Sequence, residues 1–166
     1  MSIWAGEHFE AATNLNSALI FILVPIVTAL TQKRKVYNMM IIGTFIMAVP
    51  TFLLALGANL FTLMGFIVVM TVGEALWQPR FLQYAAQIAP EGRTGAYMGV
   101  AQLPWFLTKM IVPVYEGWFL QTYCPQTGPM RTQTMWLIFA AIAMVSPLLL
   151  VLAKGWVSKG MKTAAA

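Results

Sequence analysis

Five stretches of predominantly apolar residues run through this chain, joined by short polar connections. They cover residues 15–30, 36–56, 60–88, 94–123 and 135–154. A helix needs about 20 apolar residues to cross a hydrocarbon core of ~30 Å. Because lipid offers no partners to open backbone groups, each stretch is predicted to be helical. We therefore predict an all-α membrane protein with five transmembrane helices, forming a single transmembrane domain over residues 1–166.

The composition supports a membrane location and argues against a nucleic-acid partner. Hydrophobic residues make up 60% of the chain and charged residues only 9%, whereas soluble domains have about 25% charged residues. The net charge of +5 does not come from a basic face. The positive residues instead cluster in the connections and at the C-terminal end, as membrane topology requires.

The distribution of lysine and arginine predicts the orientation of the chain in the membrane. Positive residues concentrate on the cytoplasmic side of membrane proteins. The opposite side would hold only Arg131. The N-terminus is therefore predicted to lie outside and the C-terminus in the cytoplasm. The membrane would be the plasma membrane or the inner membrane of the cell. The cytoplasmic side would hold Lys33, Arg34, Lys35, Arg93, Lys154, Lys159 and Lys162.

Glu74 is the most unusual residue of the third span. An ionised side chain near the centre of a bilayer costs roughly 2.5–3.5 kcal/mol on insertion scales, so Glu74 must face protein or water. Trp77 and Gln78 lie three and four positions further along, which places an indole and an amide close to the carboxylate. We expect a binding site for a substrate amine or a proton. The alternative is an ion pair with Lys109 of the fourth span.

The fourth span carries a polar stripe. Gln102, Lys109 and Glu116 recur every seven residues, so they lie on one side of a helix, and Trp105 lies beside them. A stripe of this kind predicts a lined pathway, in which Lys109 binds an anionic group or Glu74, while Gln102 and Trp105 shape the site. For Glu116 we expect a charge pair or solvation at the outer interface.

Arg80 follows Pro79 near the cytoplasmic end of the third span. It is expected to form a charge pair or to anchor the helix at the interface, since a long basic side chain reaches the headgroup region. Aromatic residues near span ends, such as Tyr37 and Trp118, are typical of the interfacial belts of membrane proteins.

Catalysis is not expected from this sequence. We find no phosphate-binding loop and no metal-spaced set of histidines and cysteines, so no cofactor and no metal are predicted. The sole histidine, His8, is expected at the surface.

Three segments resemble one family. They are ATNLNSALIFILVPIV, TALTQKRKVYN and GEALWQPRFLQYAAQIAPEGRTGAYMG. The pattern is similar to the C-terminal half of a major facilitator superfamily transporter, closest to the proton-coupled oligopeptide transporter-like branch. The resemblance implies that the five spans are helices eight to twelve of that fold. It also implies that Glu74 lies in the central cavity and engages the amino end of the substrate.

These observations together predict the C-terminal portion of a secondary active transporter that moves a small polar solute. If proton movement drives the transport, the protein would be a symporter. Such transporters hold substrate between two halves. The expected partners are the lipid bilayer, the solute and the missing N-terminal six-helix bundle, in the same gene or in a separate chain. The sequence would then be a fragment, a truncated gene or a split half. The alternative is a small membrane protein that transports nothing and packs against or regulates a partner.

Overall fold

The computed structural model of this chain describes residues 3–57, 59–125 and 128–164, with side chains described for 14–57, 59–125 and 128–157. These residues form six helices. The described residues contain no β-strand, which confirms the predicted all-helical fold class. The helices are α1 (Ile3–Thr31), α2 (Val36–Ala48), α3 (Thr51–Ala55), α4 (Leu60–Gln87), α5 (Thr94–Tyr123) and α6 (Thr132–Ala164).

Prolines affect these helices in two ways. The region predicted as one second span is divided into α2 and α3 at Val49 and Pro50. Proline has no N–H to donate and its ring crowds the preceding turn, so α2 ends there. Pro25, Pro79 and Pro147 lie inside helices that continue through them.

Four segments of the described chain are long and apolar enough to cross a membrane: Asn14–Thr31, Val36–Ala55, Leu60–Gln87 and Thr132–Val157. Helix α5 is not among them, although it has 30 residues. It carries Lys109 and Glu116 together with other polar residues, and these lower its mean hydropathy. The crossing of the membrane by α5 and the predicted orientation stay predictions.

Helix α4 is the centre of the assembly. It packs most extensively against α2 and also contacts α1, α3 and α5. The α2–α4 contact is a backbone contact at two glycines. A Cβ atom added to Gly73 would lie 2.7 Å from the carbonyl oxygen of Gly43 and 2.7 Å from the amide nitrogen of Met47. Only glycine permits so close an approach.

A hydrophobic cluster fixes α2 against α4 and α6. The buried residues Val36, Tyr37 and Met40 form its centre, and Phe81 and Trp77 of α4 pack against them. The Tyr37 hydroxyl donates a hydrogen bond to the carbonyl oxygen of Leu150, at 2.8 Å. The prediction that Tyr37 belongs to an interfacial belt was wrong, because its ring is buried between helices and its hydroxyl is bonded to protein.

Large apolar side chains cover much of the outer surface. Phe21, Phe61 and Leu152 are 84%, 88% and 80% exposed. Extensive exposed apolar surface marks contact with membrane or with other protein. The surface of this helix assembly is therefore suited to a lipid environment.

Candidate functional site

Glu74 lies in a pocket between four helices. The cavity has a volume of about 220 Å³, which leaves space for a small ligand. Its walls come from α2, α4, α5 and α6, so residues distant in sequence meet there. The lining residues are Thr44, Met47, Glu74, Trp77, Trp105 and Ser146.

The backbone contact between α2 and α4 sets the position of this pocket. Gly73 directly precedes Glu74, and Gly43 directly precedes Thr44. Since the two glycines touch, the following side chains of both helices are brought to the same level. The carboxylate of Glu74 and the hydroxyl of Thr44 consequently line one cavity.

The carboxylate of Glu74 has no basic partner in this structure. No ion pair forms among the residues whose side chains are described, so Glu74 is not joined to Lys109. The Glu74 side chain is partly buried. A carboxylate without an ionic partner in such a setting attracts a cation or a proton.

Stacked aromatic rings form one wall of the pocket. The Trp77 ring stacks on Phe81 with centroids 4.9 Å apart and planes 7° apart. It also stacks on Trp105 of α5 at 6.1 Å and 25°. Indole rings attract cations through their quadrupole, so an aromatic wall beside a carboxylate favours a positively charged group.

Gln78 does not line this pocket. Four residues after Glu74, it contributes to a separate apolar groove between α1 and α4. Successive helical residues are about 100° apart, so Trp77 and Gln78 lie on opposite sides of Glu74. Trp77 faces α5, whereas Gln78 faces α1. The groove is lined by Ile20, Phe21, Val24, Pro25, Gln78, Pro79 and Leu82.

Of the predicted residues on α5, only Trp105 reaches the Glu74 pocket. Gln102, Lys109 and Glu116 are all exposed. Helix α5 has no buried residue and contacts α4 and α6 only lightly. The structure therefore places the predicted stripe on the surface of the described chain, outside the lining of the pocket.

Arg80 is buried, with 3% of its surface exposed, and it binds the end of α1. Its Nη2 donates to the hydroxyl of Thr31 at 2.7 Å and to the carbonyl oxygen of Thr28 at 3.3 Å. Its Nη1 donates to Gln83 at 2.6 Å. The last carbonyls of a helix lack partners and carry partial negative charge, which stabilises the guanidinium. No carboxylate pairs with it among the described residues.

The sequence interpretation missed several residues around Glu74. Asn16 and Thr71 bind each other across α1 and α4 at 2.6 Å, and Thr44 and Ser146 supply hydroxyls to the pocket. Single hydroxyl residues in apolar helices carry no distinctive pattern. The one available signal was the glycine directly before Thr44 and before Glu74, which permits close helix contact. The residues described contain no group of three or more potential metal-binding side chains.

Comparisons with known proteins identify the family. Residues 4–162 match the profile of the Major Facilitator Superfamily. A relative in Bacillus subtilis (strain 168), described as "Uncharacterized MFS-type transporter YttB", is 30% identical over 118 residues. That alignment covers 69% of this chain and 30% of the relative, so the chain spans under a third of the length of that protein. No solved structure matches this chain. The chain is a multi-pass integral membrane protein that belongs to the major facilitator superfamily.

Proposed function

We propose that this chain is the C-terminal portion of a secondary active transporter and that Glu74 binds a cationic group of the solute or a proton. The observation that carries the proposal is the position of Glu74. Its carboxylate lies in a membrane helix, lines a cavity between four helices and forms no ion pair with any side chain that the structure describes. Ionisable residues within membrane spans mark substrate, ion or proton sites as a rule.

The pocket favours a small polar solute with an amino group. Glu74 supplies the negative charge, Trp77 and Trp105 supply the aromatic wall, and Thr44 and Ser146 supply hydroxyls that accept or donate hydrogen bonds. The resemblance to oligopeptide transporters, in which the corresponding glutamate engages the amino end of the substrate, agrees with this chemistry. Proton coupling would make the protein a symporter.

The N-terminal six-helix bundle would complete the binding site. In this family two halves hold the solute between them near the middle of the membrane. Helix α5 would then line the cavity at the boundary between the halves. Lys109 and Gln102 would face the solute pathway there, with Lys109 positioned for an anionic group.

The decisive test is uptake of a labelled dipeptide and of labelled alkylamines by the complete transporter carrying Glu74→Gln. We expect uptake to fall at least about tenfold, because an interaction with a charged group contributes roughly 1.5–3 kcal/mol. Glu91→Gln is the matched control, since the same chemical change is made in the exposed loop after α4. Wild-type uptake by Glu74→Gln would overturn the proposed role.

A second test separates a transporter from a small membrane protein that only packs against a partner. It consists of sequencing the gene upstream of the codon for Met1. A continuous reading frame with six or seven further spans supports the transporter. A short isolated gene, together with co-purification of an unrelated membrane protein, supports the alternative.

A further inference from the structure

An apolar groove runs along the outside of the structure between α1 and α4. Its volume is about 560 Å³, and two residues of its wall, Phe21 and Pro25, are exposed. Among its described lining residues only Gln78 is polar, and the others are Ile20, Phe21, Val24, Pro25, Pro79 and Leu82. Because the chain is an integral membrane protein, an exposed apolar groove takes either a lipid chain or an apolar protein surface.

The groove ends about one helical turn before the end of α1. The short side chains of Asn16 and Thr71 meet directly, so residues 55 positions apart lie at about the same level of α1 and α4. Further along both helices Arg80 reaches Thr31, which shows that the two helices run in the same direction. Leu82 is the last groove residue of α4. It therefore lies about four residues, or roughly 6 Å, before the end of α1.

Three consecutive bases follow the end of α1. Lys33, Arg34 and Lys35, which we call the basic segment, are all exposed. None of them forms an ion pair with a described carboxylate. Long basic side chains lay their apolar stems along apolar surface and place their charged ends at the level of the lipid headgroups. The basic segment therefore places three positive charges just beyond the end of the groove.

A fourth positive charge lies beneath the groove. Arg80 directly follows Pro79 of the lining and is buried, with 3% of its surface exposed. No described carboxylate neutralises it, and its Nε has no hydrogen-bond partner among the described residues. A charge in a low-dielectric interior acts more strongly on its surroundings than a charge in water. An anion at the end of the groove would consequently be stabilised by Arg80 as well as by the basic segment.

We propose that the groove and the basic segment bind an anionic phospholipid, with one acyl chain in the groove and the phosphate at the three bases. Clusters of Lys and Arg beside membrane helices attract anionic lipids. A neutral lipid leaves the positive charges without a partner, and a free phosphate leaves the groove empty.

A second copy of the chain fits this site less well than a lipid does. The described glutamates, Glu74, Glu91 and Glu116, lie on different elements. Within the described part of the chain they form no acidic cluster that matches the basic segment. A lipid supplies the apolar chain and the negative charge in one molecule.

The test measures lipid binding to the purified chain in detergent by native mass spectrometry. Phosphatidylglycerol and phosphatidylcholine with identical acyl chains are titrated separately. We expect phosphatidylglycerol to bind at least about tenfold more tightly, since each base near an anionic lipid contributes about fivefold. The combined variant Lys33→Gln, Arg34→Gln and Lys35→Gln should bind both lipids equally. High salt should also reduce the preference of the wild type, because it screens exposed charges.

A matched variant separates the position of the bases from the net charge of the chain. Arg93→Gln, Arg131→Gln and Lys154→Gln together remove the same charge from three other exposed bases. This variant should keep the preference for phosphatidylglycerol. Equal affinities of the wild type for the two lipids would overturn the proposal, and so would loss of the preference in both triple variants.

A second pair of variants tests the groove itself. Val24→Trp fills the groove and should weaken binding of both lipids at least about tenfold, since each buried CH₂ group contributes about fourfold. Val114→Trp makes the same change at a residue of α5 that is 76% exposed and should bind lipid as the wild type does. Equal affinities of these two variants would show that the acyl chain does not occupy the groove.

Two further results would overturn the proposal. Displacement of phosphatidylglycerol by excess inorganic phosphate would show that the bases bind phosphate alone. A species of twice the mass that is lost in Val24→Trp would assign the groove to a second copy of the chain. Gel filtration checks the folding of each variant, and the exposed basic segment remains a decisive test if Val24→Trp does not fold. Glu74 takes no part in this binding, so the outcome is independent of the uptake test.

Discussion

Helices α4 and α5 have similar contents and opposite environments. They contain 28 and 30 residues, and both continue through proline. Each carries an acid and a base: Glu74 and Arg80 in α4, Lys109 and Glu116 in α5. In α4, Thr71 and Arg80 donate hydrogen bonds to α1, Arg80 is buried and Glu74 lines a pocket. In α5 both charged side chains are exposed, and no residue of the helix is buried.

The comparison shows that a charge in an apolar helix can be satisfied in different ways. Helix α4 meets part of its polar requirements within this chain, because Nη2 of Arg80 donates to the end of α1 and Nη1 donates to Gln83. The buried Nε of Arg80 has no hydrogen-bond partner among the described residues. The charged side chains of α5, Lys109 and Glu116, have no partners among the described residues and depend on groups outside them. Exposed charges in hydrocarbon are costly, so the face of α5 that carries Lys109 requires water or protein. This difference predicts that α4 is sensitive to substitution and that α5 is tolerant in the isolated chain.

The largest difference in stability between variants of α4 and α5 is expected when a glycine is substituted. Gly73→Ala should destabilise the chain by about 3 kcal/mol, the upper end of the range for overpacking, because the new Cβ atom meets backbone atoms of α2. Gly99→Ala in α5 has open space around it and should leave stability unchanged or raise it by up to about 1 kcal/mol. Thermal unfolding of both variants in detergent measures the difference. Equal melting temperatures would contradict the close contact of α2 and α4.

A smaller difference is expected for the two bases. Arg80→Gln should lower the free energy of unfolding by about 2 kcal/mol, since hydrogen bonds from a charged donor contribute roughly 1.5–3 kcal/mol. The lost bonds are those to Thr28, Thr31 and Gln83. Lys109→Gln should have almost no effect, because its side chain is exposed and forms no ion pair within the described part of the chain. Denaturant titration in mixed micelles compares them. A more stable Arg80→Gln variant would show that the cost of burying the charge outweighs its hydrogen bonds.

The smallest difference is expected for two threonines that each bind a carbonyl one turn earlier. Thr71→Val should cost about 1 kcal/mol, the typical net value of a hydrogen bond, because it removes the bond of the buried Thr71 hydroxyl to Oδ1 of Asn16. Thr108 donates to the carbonyl oxygen of Pro104 at 2.7 Å but is exposed, so Thr108→Val should be neutral. Denaturant titration in mixed micelles measures the free energy of unfolding of both variants. An equal loss in both variants would show that the bond to Asn16 contributes nothing.

The sequence drew attention to Glu74 because a carboxylate in an apolar helix is visible without any structure. The bond between Asn16 and Thr71 was not predictable, since it depends on how α1 packs against α4. Periodicity placed Gln78 near Glu74 along the helix, but the neighbouring helices decide that Gln78 faces α1 and Trp77 faces α5. Pro50 divides a helix and Pro79 does not, although both are prolines in apolar segments. Local sequence specifies helices, and packing assigns each side chain its surroundings.

The contact between Gly43 and Gly73 also restricts movement. With backbone atoms touching, neither helix can slide or rotate about its own axis without a collision, so α2 and α4 form a single rigid body. Any movement of this rigid body carries Thr44 and Glu74 together and preserves their spacing. Changes in pocket shape fall to α5, which contacts α4 and α6 only lightly. Two residues without side chains thereby separate the fixed wall of the cavity from its adjustable wall.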